Sequence, residues 1–487
     1  MLFNSYIFIL FFLPLVLVLY FGLNHFGKET GAKVVLIGMS LWFYGYFHAW
    51  YLLLILVSIL FNYLCSRMML RQGCSTVYRK IILAIGILVN TGAIFYFKYF
   101  NFFLENVNFL FGSNMALKEI LMPLGISFFT FQQISYLVDS YRMETAEYDF
   151  VDYALFVTFF PQLVAGPIVL HQEMIPQFRD KARKKPDQDK LAYGIWLFAA
   201  GLFKKVMIAD ALGKGVDWGF GDPGAMTGPD AAIVSLLYTL QIYFDFSGYC
   251  DMACGIANMF HLELPQNFNS PYKSTSILEF WQRWHMSLSR FLRKYVYFPL
   301  GGNRKGTTRT MINVMIVFLV SGIWHGAAWT FVIWGLLHGV AQVLCRLFQK
   351  TWNRIPGFVR WGSTFLFLNL TWVLFRAESL EDVGTVFMKL FSPWEWRISG
   401  GLSAQFELLE FTYVVEHVDM LKGVVSPYPA LYLGIVMTAA LFVALVPRNN
   451  HEKKFVPGIG NAIGSVILLV WSIVSLSGLS SFLYFNF

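Results

Sequence analysis

His325 closes the apolar run that follows Arg309, inside Ser321-Gly-Ile-Trp-His-Gly-Ala-Ala-Trp329. Counted along a helix, it lies on the order of 20 Å from that basic loop. An ionisable side chain at such depth is costly and is a functional candidate by default. Imidazole titrates near neutral pH, which suits a general base that takes the proton of an attacking hydroxyl. Gly322 and Gly326 flank it and leave room for a substrate or for a close helix. A histidine satisfied by a neighbouring helix is the competing reading, and spacing alone does not choose between them.

A second histidine, His285, sits in Phe280-Trp-Gln-Arg-Trp-His-Met-Ser-Leu-Ser-Arg-Phe-Leu-Arg-Lys294. Written as one helix, Trp281, Trp284, His285, Leu288 and Phe291 share a face, and Arg283, Ser287, Arg290 and Lys294 share another. The pattern predicts a helix at the cytoplasmic interface, with His285 turned into protein or lipid. An anchor helix with an incidental histidine is the simpler account.

Next comes Tyr297-Phe-Pro-Leu-Gly-Gly-Asn-Arg-Lys-Gly306, where Gly-Gly-Asn is turn chemistry and Arg304 and Lys305 can bind phosphate. Arg283, Arg290, Arg304 and Lys305 are therefore candidates for holding an anionic donor, although loops beside membrane helices are basic anyway. Asp245 and Asp251 lie inside an apolar stretch, need partners there, and read as structural before catalytic. The chain ends Phe482-Leu-Tyr-Phe-Asn-Phe487. An interfacial aromatic belt explains the phenylalanines but not the hydroxyl of Tyr484.

The elements that must carry these groups are membrane helices. Hydrophobic residues make up 57% of the 487 and charged ones only 14%, against about 25% charged in soluble proteins. Core growth in soluble domains stops at about 250–300 residues, so lipid has to be the solvent for much of this surface. Apolar segments fall at 4–26, 34–49, 50–66, 81–98, 120–140, 151–170, 191–209, 230–260, 310–325, 327–345, 361–376, 429–447 and 459–480. Roughly eleven to thirteen membrane helices are expected, the shortest of them re-entrant, and all helical because lipid satisfies no backbone group.

The net charge of +8 comes from short basic runs between apolar segments, which points to cytoplasmic loops and away from nucleic acid. Those runs are Arg67–Lys80, Arg179–Lys190, Arg283–Arg309, Arg346–Arg360 and Arg448–Lys454. This orientation places 481–487 on the extracytoplasmic side. The apolar N-terminus, Leu2–Phe26, reads as a retained first helix. The five cysteines form no CxxC pair, and no metal site is expected. No repeat, linker or second domain is visible, so the chain reads as one all-α transmembrane domain, 1–487, with an extracytoplasmic tail at 481–487.

Taken together, these residues resemble the membrane-bound O-acyltransferase family, most closely its alginate O-acetyltransferase branch. The match rests on six motifs in the family's order: Phe160-Pro-Gln-Leu-Val-Ala-Gly-Pro167, Asp245-Phe-Ser-Gly-Tyr-Cys-Asp-Met252, Leu264-Pro-Gln-Asn-Phe-Asn-Ser-Pro-Tyr272, Trp281-Gln-Arg-Trp-His285, Pro299-Leu-Gly-Gly-Asn-Arg-Lys-Gly306 and Ser321-Gly-Ile-Trp-His-Gly326. The resemblance implies that His325 is the central catalytic histidine and that His285 holds the second position, an asparagine in many relatives. His338 also looks family-like, without a chemical role. The implied fold is a ring of helices around a thinned centre, entered by a cytoplasmic funnel and an opposing cavity.

The implied reaction takes acetyl groups from a cytoplasmic donor, acetyl-CoA, with no tightly bound cofactor. The groups cross the bacterial inner membrane and pass to an SGNH-type esterase-like partner that acetylates a polysaccharide. The C-terminal ending resembles the branch's aromatic motif and marks Tyr484 as an acyl relay. Two alternatives stand beside this: D-alanyl transfer to teichoic acid, and a proton-coupled transporter with a His/Asp relay, which the absence of repeat symmetry disfavours.

Overall fold

The fold follows from a computed structural model, which describes residues 1–392, 397–406, 417, 429–452, 455–476 and 480–483. All regular elements among the described residues are helical. The chain runs through α1 (Leu13–His25), α2 (Glu29–Gly45), α3 (Trp50–Leu70), α4 (Thr76–Ile94), α5 (Phe100–Phe111), α6 (Ile126–Tyr141), α7 (Phe150–Thr158), α8 (Phe160–Leu163), α9 (His171–Arg179), α10 (Gln188–Phe203), α11 (Asp210–Gly221) and α12 (Gly228–Met259). After an irregular stretch come α13 (Ile277–Arg283), α14 (Met286–Leu292), α15 (Gly306–His325), α16 (Trp329–Leu347), α17 (Gln349–Trp352), α18 (Gly357–Arg376), α19 (Leu380–Phe391), α20 (Gly400–Ala404), α21 (Pro429–Leu445) and α22 (Ile459–Val474). Wider π-type turns at Phe8–Phe12, Phe95–Tyr99, Lys204–Ala209 and Arg293–Tyr297 extend or join these helices.

Among the described residues, seven helical spans are long and apolar enough to cross a membrane. They are Phe8–His25, Trp50–Leu70, Thr76–Phe111, Gln188–Gly221, Gly306–His325, Trp329–Leu347 and Gly357–Arg376, with shorter apolar helices at Ala430–Leu445 and Ile459–Val474. Their outer faces leave Val18, Leu53, Val57, Leu88, Leu366 and Val470 more than half exposed. In water such faces would drive aggregation; in lipid they are the expected surface. The chain is a multi-pass membrane protein.

At the centre stands α12, 32 residues long and buried along almost its entire length. Thr227 and Asp230 cap its start reciprocally, each side chain accepting the other's backbone N–H. Its helix partner α10 lies close enough that a Cβ on Gly201 would sit 2.6 Å from the Gly248 carbonyl. Glycine allows that approach, and dispersion contacts along the seam hold the pair. Residues from α12 belong to both large apolar clusters of the protein. Because surrounding helices screen it from lipid, α12 can carry Asp245 and Asp251, which an isolated span could not.

Three expected segments differ from what the sequence pattern predicts. The segment 151–170 is helical only to Leu163; Pro161 and Pro167 interrupt the ladder. The extended stretch after it is fully buried in protein, where the Ser287 hydroxyl accepts from the Ile168 N–H at 2.9 Å. The helix expected from residue 120 starts at Ile126, after Pro123 and a left-handed Gly125 with φ of 72°. The single amphipathic helix over 280–294 does not form. It breaks at Trp284 and His285, and the pieces are packed inside the protein rather than at an interface.

Candidate functional site

His325 is the last residue of α15, because the backbone turns extended at Gly326 before α16 begins. Its imidazole is 4% exposed and packs among Trp324, Trp334 and Phe375, with ring centroids 5.0–5.3 Å away. Nδ1 lies 2.6 Å from the Ser321 carbonyl, which can only accept. That contact puts the proton on Nδ1 and the lone pair on Nε2, the arrangement a general base needs. The room left by the flanking glycines is taken by α16. A Cβ on Gly322 would lie 2.4 Å from the Phe331 carbonyl, and one on Gly326 would strike the Phe331 ring at 2.1 Å.

His285 faces it, with ring centroids 6.4 Å apart. This residue is completely buried and sits at the break between α13 and α14 in a left-handed conformation, φ 44° and ψ 53°. Such a backbone costs about 1–3 kcal/mol for a residue other than glycine and persists only where the surroundings impose it. Here the Leu264–Tyr272 loop imposes it. Asn267 accepts from Met286 N–H through its carbonyl and from Ser287 N–H and Oγ through Oδ1, at 2.8–3.0 Å. The Asn269 N–H closes the other side on the Arg283 carbonyl at 2.9 Å. The break turns His285 out of the helix face drawn from the sequence and sets it against Phe246 of α12 and Trp324 of α15.

His338 lies behind this pair with both ring nitrogens engaged. Trp281 Nε1 donates to Nδ1, and Nε2 donates to Thr371 Oγ1, each at 3.2 Å.

Two cavities lie near the histidine pair, and His325 lines the smaller of them. One of about 230 Å³ is lined by Ser289, Arg293, Tyr297, Ser321 and Arg346 among others. It runs from the basic turn after α14 to the helical turn that precedes His325. The other, about 40 Å³, is lined by Lys98, Met122–Phe128, Trp324 and His325 itself.

The candidate donor-binding residues lie apart from both cavities. Arg283 is paired with Glu279 at 3.0 Å, and Arg290 is clamped by Glu173 and the Ile168 carbonyl. Arg304 and Lys305 stand exposed on the turn that Gly301, Gly302 and Gly306 form with positive φ. Arg293 and Arg346, which do line the larger cavity, carry no signal in the sequence beyond the general basicity of the loop.

Lys204 and Lys205 are further unforeseen members, on the π-type turn that joins α10 to α11. Lys205 pairs with Asp245 and Asp210 at 2.8 Å, and Lys204 pairs with Asp251 at 2.6 Å. His451 also contacts Asp251 at 3.2 Å. These pairs supply the partners that the two buried acids require. The same cluster holds the start of the C-terminal tail. Ser480 Oγ donates to Asp210, Lys205 donates to the Ser481 carbonyl, and the Leu483 N–H donates to Asp245 Oδ2 at 3.0 Å. Phe482 is buried between Lys205 and Tyr249. Tyr484, the candidate relay, lies outside the described residues.

A substitution at His285 separates chemistry from packing. His285→Asn keeps a donor and an acceptor, and asparagine tolerates the left-handed backbone. His285→Ala keeps neither. The alanine variant is expected to lose about 100-fold or more in turnover and the asparagine variant markedly less. Assay of donor cleavage by both purified variants checks this; full activity of both returns His285 to a packing role.

The chain is similar to known proteins. The sequence model of the membrane-bound O-acyltransferase family matches residues 113–381. A peptidoglycan O-acetyltransferase of Helicobacter pylori is 38% identical, over 100% of this chain and 98% of that protein. A probable alginate O-acetylase of Azotobacter vinelandii is 35% identical over 100% of both chains. A teichoic acid D-alanyltransferase of Bacillus subtilis is 30% identical over 48% of this chain and 62% of its own length.

Proposed function

We propose a reaction for this chain, which belongs to the membrane-bound O-acyltransferase family: it moves acetyl groups from a cytoplasmic thioester donor, acetyl-CoA, to the outer side of the bacterial cytoplasmic membrane for O-acetylation of an envelope polysaccharide. The observation that carries this reading is the pairing of His285 and His325, with His325 on the wall of one cavity and a second, Arg-lined cavity ending one helical turn away at Ser321. Family membership sets the transporter reading aside. Full-length similarity to two O-acetyltransferases, against partial similarity to the D-alanyl enzyme, favours acetyl over D-alanyl.

In this mechanism the thioester arm enters the larger cavity. His325 Nε2 takes the proton of an attacking hydroxyl, and the oxygen bonds to the acyl carbon. The tetrahedral intermediate collapses, the C–S bond breaks, and the thiolate leaves with the proton that the imidazolium returns. A thiol of pKa about 8.5 is a good leaving group. The attacking hydroxyl is that of Tyr484, which yields an aryl ester on the outer side. A serine of an SGNH-type partner then attacks that ester and regenerates the phenol. Purified protein supplied with acetyl-CoA is expected to release free thiol; no release in detergent or in liposomes would refute the donor assignment.

Recruitment of the anionic donor falls to the basic face. Arg304 and Lys305, exposed on their turn, act at longer range than Arg283 and Arg290, whose charges Glu279 and Glu173 already compensate. Replacing Arg304 and Lys305 with glutamine is expected to raise the apparent KM for acetyl-CoA by about 3–10-fold at low salt with kcat unchanged. Added salt should erase the difference, because exposed charges are screened. Unchanged KM at low salt would leave these residues with a topological role only.

A further inference from the structure

Helix α15 stops at the depth where His325 must work, and it stops without the usual glycine cap. Gly326 is extended, φ −160° and ψ 157°, and its N–H reaches only the Gly322 carbonyl. The next three carbonyls, of Ile323, Trp324 and His325, are left without intrahelical donors. Inside a membrane protein water reaches such groups only through a cavity, so protein donors have to satisfy most of them. Two consecutive side chains from the Thr76–Phe111 span do so instead. Tyr99 donates its hydroxyl to the Ile323 carbonyl at 2.6 Å. Lys98 Nζ donates to the carbonyls of Trp324 and His325 at 2.8 and 2.9 Å.

Both residues lie on the π-type turn Phe95–Tyr99, a geometry that interrupts helices most often at functional positions. The cation also suits its place, since a helix C-terminus carries partial negative charge. Lys98 differs from the other deep lysines. Lys204 and Lys205 each contact a carboxylate, whereas Lys98 makes no ion pair among the described residues. A cation held at this depth by two peptide carbonyls and the Tyr99 ring, with no carboxylate beside it among the described residues, is costly and calls for a purpose. It lines the smaller cavity together with His325 and is absent from the lining of the larger one.

We propose that Lys98 is a positioning residue: it clamps the end of α15 and so fixes the imidazole of His325 relative to the acyl carbon. The proposal rests on the acyl-transfer reading for its kinetic effect, but not for its structural one. Misplacement of a catalytic group by about 1 Å costs on the order of 100-fold in rate. Lys98→Met keeps length and removes the donors, so kcat, read as the rate of the one thiol release per chain at saturating donor, is expected to fall by about 100-fold. Donor KM should stay within about twofold, because the clamp acts on His325 and not on the donor cavity. Lys98→Arg keeps the cation and two N–H donors, and should recover kcat to within about tenfold of wild type.

Hydrogen exchange read by mass spectrometry over peptides spanning 321–329 supplies the second readout. Exchange should accelerate in Lys98→Met and stay near wild type in Lys98→Arg, with the same melting temperature for the bulk of the protein. Lys98→Met with wild-type kcat and wild-type exchange at 321–329 would overturn the proposal. If Lys98→Met does not insert, Lys98→Arg decides: lost turnover with undisturbed exchange would overturn it equally. A wild-type protein that releases no thiol would refute the acyl-transfer reading alone, and the exchange comparison would still test the clamp.

Discussion

His325→Ala is expected to lower thiol release from the acetyl donor by about 10²–10⁴-fold, the range that general-base help supplies. The proton on Nδ1 is committed to the Ser321 carbonyl, so in the proposed mechanism Nε2 is the nitrogen that accepts from the attacking hydroxyl. His285 cannot take over, since its ring centre is 6.4 Å away and its backbone is pinned by Asn267. The variant should still fold. The end of α15 is held through backbone carbonyls by Lys98 and Tyr99, and alanine keeps those carbonyls. Size-exclusion profile and melting temperature check the fold, and thiol release checks the chemistry. Wild-type turnover from a well-folded His325→Ala protein would end the assignment.

Tyr484→Phe should abolish acetylation of the cell-surface polymer while leaving the protein in the membrane. The change keeps the ring and deletes only the hydroxyl. A phenol of pKa about 10 is a poor nucleophile near neutral pH unless a base assists, so a relay at this position depends on His325. The seating of the preceding residues supports that path. Ser480 to Leu483 are bound by Asp210, Lys205 and Asp245, and Phe246, next to Asp245 on α12, packs against His285. An aromatic anchor would tolerate phenylalanine. Surface acetyl measured by mild alkaline release distinguishes the two, and normal acetylation by Tyr484→Phe would leave the tail as an anchor.

Much of this was legible in the residues, for identifiable reasons. Long apolar runs with few charges point to membrane helices, and α3, α15, α16 and α18 follow them closely. His325 stands out as a candidate because an ionisable residue inside such a run is costly, although a histidine satisfied by a neighbouring helix fits the same spacing. The bend at His285 was not legible. Its cause is Asn267, about twenty residues away, whose side chain caps α14 from a loop, and helical periodicity carries no trace of that contact. The same holds for Lys98, Lys204 and Lys205. They look like stray charges in or at the end of apolar segments, and the role of each depends on which carbonyl or carboxylate another helix brings to it. The segment 151–170 likewise reads as a span, but its end runs extended and Ile168 bonds to Ser287 and Arg290 of α14.

The central claim is that an acetyl group passes through this chain on a covalent bond to its tail. The direct test is mass spectrometry of the purified protein after incubation with acetyl-CoA and no acceptor. One acetyl should appear per chain, map to the C-terminal peptide that contains Tyr484, and vanish in both His325→Ala and Tyr484→Phe. Thiol release without any acetyl on the chain, or an acetyl that persists on the Tyr484→Phe protein, would contradict the account.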